Sequence, residues 1–338
     1  MLYPKRTNYT NKETGITLGS TKSFKISRLW HIEAMFVRVR FTVSTAANVL
    51  NADGLAAILK RVTLEVSHGS NTRNPVNVTG RGLLDWNLQV CGGIDKYFFA
   101  NATANGTTTY TFYYPIWFVP PQIADPLGSA FLLPTPAFND DPVLTLQFAN
   151  ASDIDVGTGV FAISAMEADV ITHRREVLGD LETLNTEMVE TSEAFTASVT
   201  RHATKIPTPG HYTGMLIRGY TSTSARGDIM DSTGNFSLEV LGTVIRRFRL
   251  ADEEVMNNLS MFYPNQTGMN AGNYFLDFLS DKVGDSVLDL GSVLSTNSLA
   301  GSGAELQLIK DITGGAGVKM NLVTHRIFGD IAPFKLSK

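Results

Sequence analysis

The strongest constraint in this sequence is an order of strand-like segments that occurs twice. Residues 35–44 read Met-Phe-Val-Arg-Val-Arg-Phe-Thr-Val-Ser, with Val37, Val39, Phe41 and Val43 on one side and Phe36, Arg38 and Arg40 on the other. Such alternation, rich in β-branched and aromatic residues, is the period of a half-buried β-strand. Similar segments follow at 58–67, 109–118, 143–149 and 159–171, separated by turn-forming clusters such as Asn51-Ala52-Asp53-Gly54, His68-Gly69-Ser70-Asn71 and Asn105-Gly106. The second half repeats this order. Residues 211–220 resemble 31–40, with Met215 in the place of Met35 and Arg218 in that of Arg38. Likewise 236–241 match 62–67, 274–279 match 110–115, 304–309 match 142–147, and 317–323 match 159–165. Any two strands look somewhat alike, but five matches in one order indicate a duplicated unit.

Each half thus offers about eight short strands, the number that builds a jelly roll of two packed four-stranded sheets. The expected fold is all-β: two tandem eight-stranded jelly rolls, a double jelly roll, with short helices in the connections. A length of 338 residues agrees, because one core rarely supports so long a chain. Paired immunoglobulin-like sandwiches fit less well, since even strand spacing and a Cys-Trp-Cys signature are missing. The pattern divides the chain into an N-terminal arm (1–20), a first jelly roll (21–175), a linker (176–193) and a second jelly roll (194–338). In the linker Val177, Leu181, Leu184 and Met188 recur at helical spacing among Glu176, Asp180, Glu182, Glu187 and Glu190. That spacing predicts a short amphipathic helix with a solvated acidic face. Residues 194–200 are expected to play the part of 23–27, and a second short helix is expected at 127–133, between Pro126 and Pro134.

Charged residues make up only 18% of the chain, against about 25% in ordinary globular proteins. With 43% hydrophobic residues and a net charge of -4, the chain is not disordered, and it lacks the cationic surplus of a general nucleic-acid binder. Cys91 is the single cysteine, which excludes an intramolecular disulfide and a Cys-rich zinc site and reads as a small buried thiol. The first residues contain no apolar run, so no secretory signal is expected, and no stretch is long enough to span a membrane as a helix. The Asn-x-Ser/Thr triplets at Asn77, Asn101, Asn105 and Asn265 then read as loop composition rather than glycan acceptors.

Motifs for chemistry are sparse. The six histidines, His31, His68, His173, His202, His211 and His325, form no His-Glu-x-x-His or His-x-His pattern, and His31 and His211 hold matching places before matching strands. There is no Gly-x-Ser-x-Gly. Asp153-Ile-Asp155-Val-Gly157-Thr-Gly159 lacks the glutamate of a calcium loop and leads into a strand, so it reads as a tight hairpin, as does Gly314-Gly-Ala-Gly317. Asp140 and Asp141 read as a loop cap. The basic clusters are His173-Arg174-Arg175 and Arg246-Arg247-Phe248-Arg249; each is more simply paired with carboxylates, for the latter Asp252, Glu253 and Glu254, than aimed at phosphates. No catalytic residue, cofactor or metal is assigned.

Tandem eight-stranded units without a catalytic constellation resemble the double jelly-roll major capsid proteins of icosahedral, membrane-containing bacteriophages of the corticovirus and finnlakevirus type. The similarity covers roughly residues 20–330 and includes Ile206-Pro-Thr-Pro-Gly-His-Tyr212 and Tyr274-Phe-Leu-Asp-Phe-Leu279. It implies a structural protein of the virion, assembled in the host cytoplasm, that forms homotrimers acting as pseudo-hexameric capsomers. Neighbouring capsomers, a vertex (penton) protein and an internal membrane or genome are the implied partners, with Arg246, Arg247 and Arg249 as interior-facing basic contacts. No small-molecule substrate is implied. Polar stretches at 68–79, 100–109 and 264–273 become surface or trimer-contact loops. Two alternatives remain at this stage: a tandem jelly-roll protein that binds or cleaves glycans, for which Trp86 and Trp117 are the aromatic candidates, and a phage spike or receptor-binding protein.

Overall fold

The computed structural model describes residues 6–46, 49–91, 106–119, 131–176, 185–229, 235–249, 272–278, 294–299 and 302–329. The chain divides into two compact units, Met1–Val189 and Glu190–Lys338. In the first, eight strands follow one another: β1 (Arg6–Ile16), β2 (Thr21–Lys25), β3 (His31–Ala46), β4 (Leu59–His68), β5 (Asn71–Val78), β6 (Gly106–Trp117), β7 (Val143–Phe148) and β8 (Val160–Arg175). They form one sheet in the order β1-β8-β3-β6 and another in the order β2-β7-β4-β5, with antiparallel pairing throughout. The first strand lies beside the last, and successive strands are shared between two sheets. This is jelly-roll topology.

Period-two alternation builds the core. Val37, Val39, Phe41 and Val43 of β3 are buried, as are Val62, Leu64 and Val66 of β4 and Leu144, Leu146 and Phe148 of β7. Outward positions on neighbouring strands are joined by hydroxyl pairs: Thr42 with Thr109 at 2.9 Å, Ser44 with Thr107 at 3.0 Å and Ser23 with Thr145 at 3.2 Å. The low charge fraction thus has a local counterpart, because Ser and Thr satisfy these outer positions without ions. A helix, α1 (Gly80–Cys91), follows β5. The Thr79 hydroxyl accepts a hydrogen bond from the Gly82 N–H at 2.9 Å and so caps its start. Gly80 is required there, since a Cβ would stand 2.5 Å from the Leu59 carbonyl oxygen. The pattern of residues conceals α1: Arg81, Asp85, Asn87 and Gln89 are buried along with Leu83, Leu84 and Leu88, so no polar face marks it.

The second unit repeats the topology. Its strands are the C-terminal part of β9 (Asn185–Ala194), β10 (Val199–Ile206), β11 (His211–Ser222), the short β12 (Ala225–Arg226), β13 (Asn235–Val240), β14 (Thr243–Arg249), β15 (Asn273–Asp277), the short β16 (Leu294–Ser295), β17 (Leu306–Ile312) and β18 (Lys319–Phe328). One sheet is ordered β10-β17-β13-β14; in the other β18 lies between β9 and β11, and β15 pairs with β11. With β12 and β16 set aside, the two units share one strand order. Each of the five sequence matches joins strands of equal rank: third, fourth, sixth, seventh and eighth. Buried Tyr212, Met215, Ile217, Phe236, Leu238, Leu306, Leu308 and Met320 centre the core of this unit.

Several expectations are corrected. Residues 6–16 are the first strand of the first unit, not a separate arm. The helix expected across the linker gives way, from Asn185, to strand β9, while 177–184 lies outside the described residues. Thr186, Met188 and Glu190 point inward in alternation, and a glutamate at an inward position hides that period. The counterpart of β2 is β10, which begins at Val199. Residues 71–78 are strand β5 rather than loop. Of the helix expected at 127–133 only 131–133 is described, where Leu133 bridges to Ile32. The connections 149–159 and 313–318 are not hairpins, because the strands they join belong to different sheets. The first of them instead holds a one-turn helix, Ala151–Ile154, closed by a capping box between Asn150 and Asp153.

Candidate functional site

Among the described residues no group of three or more His, Cys, Asp or Glu side chains could hold a metal ion, and no helix is long and apolar enough to cross a membrane. The histidines serve packing and pairing. His173 lies against Phe36 with ring centroids 4.7 Å apart, and His211 Nε2 meets the Asn297 amide at 2.9 Å. His202 Nε2 lies 2.8 Å from Glu193, whose carboxylate also accepts the Thr204 hydroxyl at 2.7 Å. Lys310 donates to that same hydroxyl, and burial pushes its ammonium down to about 8 against the attraction of Glu193. The network closes on itself, with Lys310 2% exposed.

His325 is buried beside the Thr213 hydroxyl, and burial lowers its pKa from 6.5 to about 4. The unfolded chain therefore binds a proton that the folded one refuses between these values. Stability from this group is complete above pH 6.5 and is lost as pH falls, by about 3 kcal/mol at pH 4. Urea unfolding of the second unit at pH 7 and pH 4.5 is expected to show this loss, and His325→Gln should flatten the dependence. An unchanged pH profile in the variant would sink the assignment.

Two paired arginines hold matching places in the two units. Arg38 on β3 pairs with Asp169 of β8, while Arg218 on β11 donates to Glu190 of β9 at 2.6 Å. Both carboxylate side chains are nearly sealed from solvent, at 2% and 1% exposure. Glu190 is thus an interior ion-pair partner, not part of a solvated face. Nor is the 173–175 cluster available to phosphates. Arg175 holds Glu33 through two hydrogen bonds of 2.9 Å, and Arg174 donates to the Thr172 hydroxyl at 3.0 Å. The Asp140 carboxylate accepts a hydrogen bond from the Ser67 hydroxyl, which in turn accepts one from the Asp140 N–H, and Asp141 pairs with Arg28, as a loop cap should. Trp86 is buried in α1 and presents no open face for a sugar ring, while the half-buried Trp117 packs at right angles to Phe36, with ring centroids 5.1 Å apart.

The basic segment 246–249 is different. It lies on β14, an outer strand of its sheet, and Arg246 and Arg247 are exposed. Arg249 is set on the strand by its pairing with Asn235. Arg246 also stacks over the buried Phe278 ring at 5.6 Å. Its suggested partners Asp252, Glu253 and Glu254 lie outside the described residues. The turn joining β13 to β14 is Leu241-Gly242, both with positive φ (51° and 76°), as a two-residue hairpin requires. Leu241 at 80%, Ile245 at 51% and Val244 at 41% exposure make this hairpin apolar as well as cationic. The sequence showed the arginines but not this exposure, because alternating Val and Ile ordinarily signals a core strand. The one acid of the hairpin, Glu239, is buried and bonded to Arg201 and Ser237.

No family model and no curated protein matches the sequence. Solved structures do. The major capsid protein of Sulfolobus turreted icosahedral virus superposes with a TM-score of 0.65 at 16% identity, covering 96% of each chain. The major capsid protein P2 of bacteriophage PM2 gives 0.58 at 12% identity, over 96% of this chain and 98% of that one. The Faustovirus major capsid protein gives 0.62 at 10% identity, over 97% and 91%. The chain has the double jelly-roll fold of these proteins.

Proposed function

We propose that this double jelly-roll chain is the major capsid protein of an icosahedral virus, and that three copies associate so that six jelly rolls form one pseudo-hexameric capsomer. The observation that carries this reading is the match, over 96–97% of this chain, to capsid proteins of three viruses. The virion shell is then its location, with neighbouring capsomers and a vertex protein as partners, after assembly in the host cytoplasm. The finer assignment, to a bacteriophage, is supported by the PM2 match. A low charge fraction suits such a role, since the flanks of each copy are covered by others and need fewer ions for solubility.

Native mass spectrometry of the purified protein is expected to show a trimer. A strictly monomeric species at high concentration would overturn the proposal. Electron microscopy of particles from the native source should show facets tiled by threefold capsomers.

A further inference from the structure

We infer that the β13–β14 hairpin docks on an anionic lipid surface, its apolar turn entering the interface and its arginines meeting headgroup phosphates. This inference rests on the capsid reading only for the setting in which such a surface is met. Its geometry stands on the hairpin itself. Leucine at the first position of a two-residue turn with positive φ is a poor choice for the fold, which favours Asn, Asp or Gly there. The strain is not repaid inside the chain, because Leu241 is 80% exposed. A strand rises about 3.3 Å per residue, which puts Arg246 roughly 13 Å from Gly242. An interfacial segment sinks its apolar part about 5–10 Å below the headgroups, so that spacing leaves Arg246 and Arg247 near the phosphates.

The first unit carries an exposed apolar turn of its own. Successive strands of each unit run in alternating directions, so the turns after the second and fourth strands fall at one and the same end of that unit. The turn after the fourth strand of the second unit carries Leu241. In the first unit the turn after the second strand carries Leu29, 77% exposed. These are the two most exposed large hydrophobic residues described, and each occupies that end of its own unit. Exposed Val49 and Val156 lie at the opposite end of the first unit beside the Asp155 carboxylate, which an anionic surface repels. Nucleic acid would use the arginines and leave the apolar turn of this hairpin without a partner. A lipid interface uses both.

The test is co-sedimentation of the purified protein with phosphatidylcholine vesicles, with and without phosphatidylglycerol, alongside duplex DNA. Binding is expected only when phosphatidylglycerol is present. Leu241→Ser should weaken it about tenfold through lost apolar burial. Each of Arg246→Ser and Arg247→Ser should weaken it about fivefold, as removal of one cation from an anionic membrane surface does. Leu241→Trp provides a readout independent of affinity, a blue shift of its emission on vesicles. Absence of vesicle binding, binding indifferent to Leu241, or retention on DNA that depends on the arginines alone would each overturn the inference. A native mass spectrum of the same samples separates the two failures. Trimers that ignore vesicles defeat only the lipid contact, whereas monomers that bind them defeat only the capsid reading.

Discussion

Replacing Glu190 with alanine will cost the second unit about 3–5 kcal/mol, the loss expected when one partner of a buried ion pair is removed and the other stays behind. The Arg218 guanidinium is 0% exposed and lies between the Glu190 carboxylate, 2.6 Å away, and the ring of Tyr220 at 5.5 Å. Asn321, opposite Arg218 in the β11–β18 ladder, donates to the same carboxylate oxygen at 2.8 Å. Alanine leaves a desolvated cation and an amide that have both lost this acceptor. Against a typical stability of about 5–15 kcal/mol for a whole domain, the unit becomes marginal. Urea titration followed by far-ultraviolet circular dichroism measures the effect, since all three tryptophans lie in the first unit. Two companions define its origin: Glu190→Gln, which keeps an acceptor, should lose less, and the double replacement Glu190→Met with Arg218→Met should recover most of the deficit. A loss below about 1 kcal/mol for the alanine variant, the scale of an exposed pair, would show that the two groups are hydrated in the folded protein.

Gly219→Val is the second large effect, and it tests where the two units differ. The matching position in the first unit is Val39, a core residue with no exposed surface. In the second unit three backbone segments meet instead. The Gly219 N–H donates to the Gly272 carbonyl at 2.7 Å, and the Gly227 N–H donates to the Gly219 carbonyl at 3.3 Å. A Cβ on Gly219 would lie 2.5 Å from the Gly227 carbonyl oxygen, and one on Gly272 would lie 2.8 Å from the Gly219 oxygen. These neighbours are backbone and cannot rotate away as a side chain can. Overpacking usually costs about 1–3 kcal/mol, and here relief also requires opening hydrogen bonds. Gly219→Ala is therefore expected at about 3 kcal/mol, with valine costing more and leaving little soluble protein. Thermal melting and soluble yield would decide; a valine variant that melts with the parent protein would contradict the close approach.

These residues show why part of the structure could be read from sequence. Strand β3 was legible because neighbouring side chains point to opposite faces, and burial then sorts Val37, Val39 and Phe41 from Arg38 and Arg40; its counterpart β11, buried along its first ten residues, was legible only through its match to β3. Pairing Arg38 with Arg218 by rank led to two ion pairs with sealed carboxylates, of which only the second is buried on both sides. Strand β9 was misread because Glu190 faces inward, so polarity and burial disagree at the position that matters. Helix α1 was missed for a related reason: its Arg81–Asp85 pair, 3.1 Å apart and almost fully enclosed, places charges where a helix normally turns apolar. The exposed hairpin was half legible, since a run of arginines is visible in one dimension. Whether a neighbouring Val or Ile is covered is a property of three dimensions.

The hydroxyl pairs on the outer positions of the first unit bear on the medium in which the protein works. Ser23–Thr145, Thr42–Thr109 and Ser44–Thr107 have neither a proton to titrate in the ordinary range nor an ionic atmosphere to screen. Cross-strand ion pairs at the same places would weaken in brine and change with acidity. These three clasps hold alike in fresh water and in brine, whereas the exposed cross-strand pairs of Lys12 and Arg40 with Glu167 weaken as salt rises.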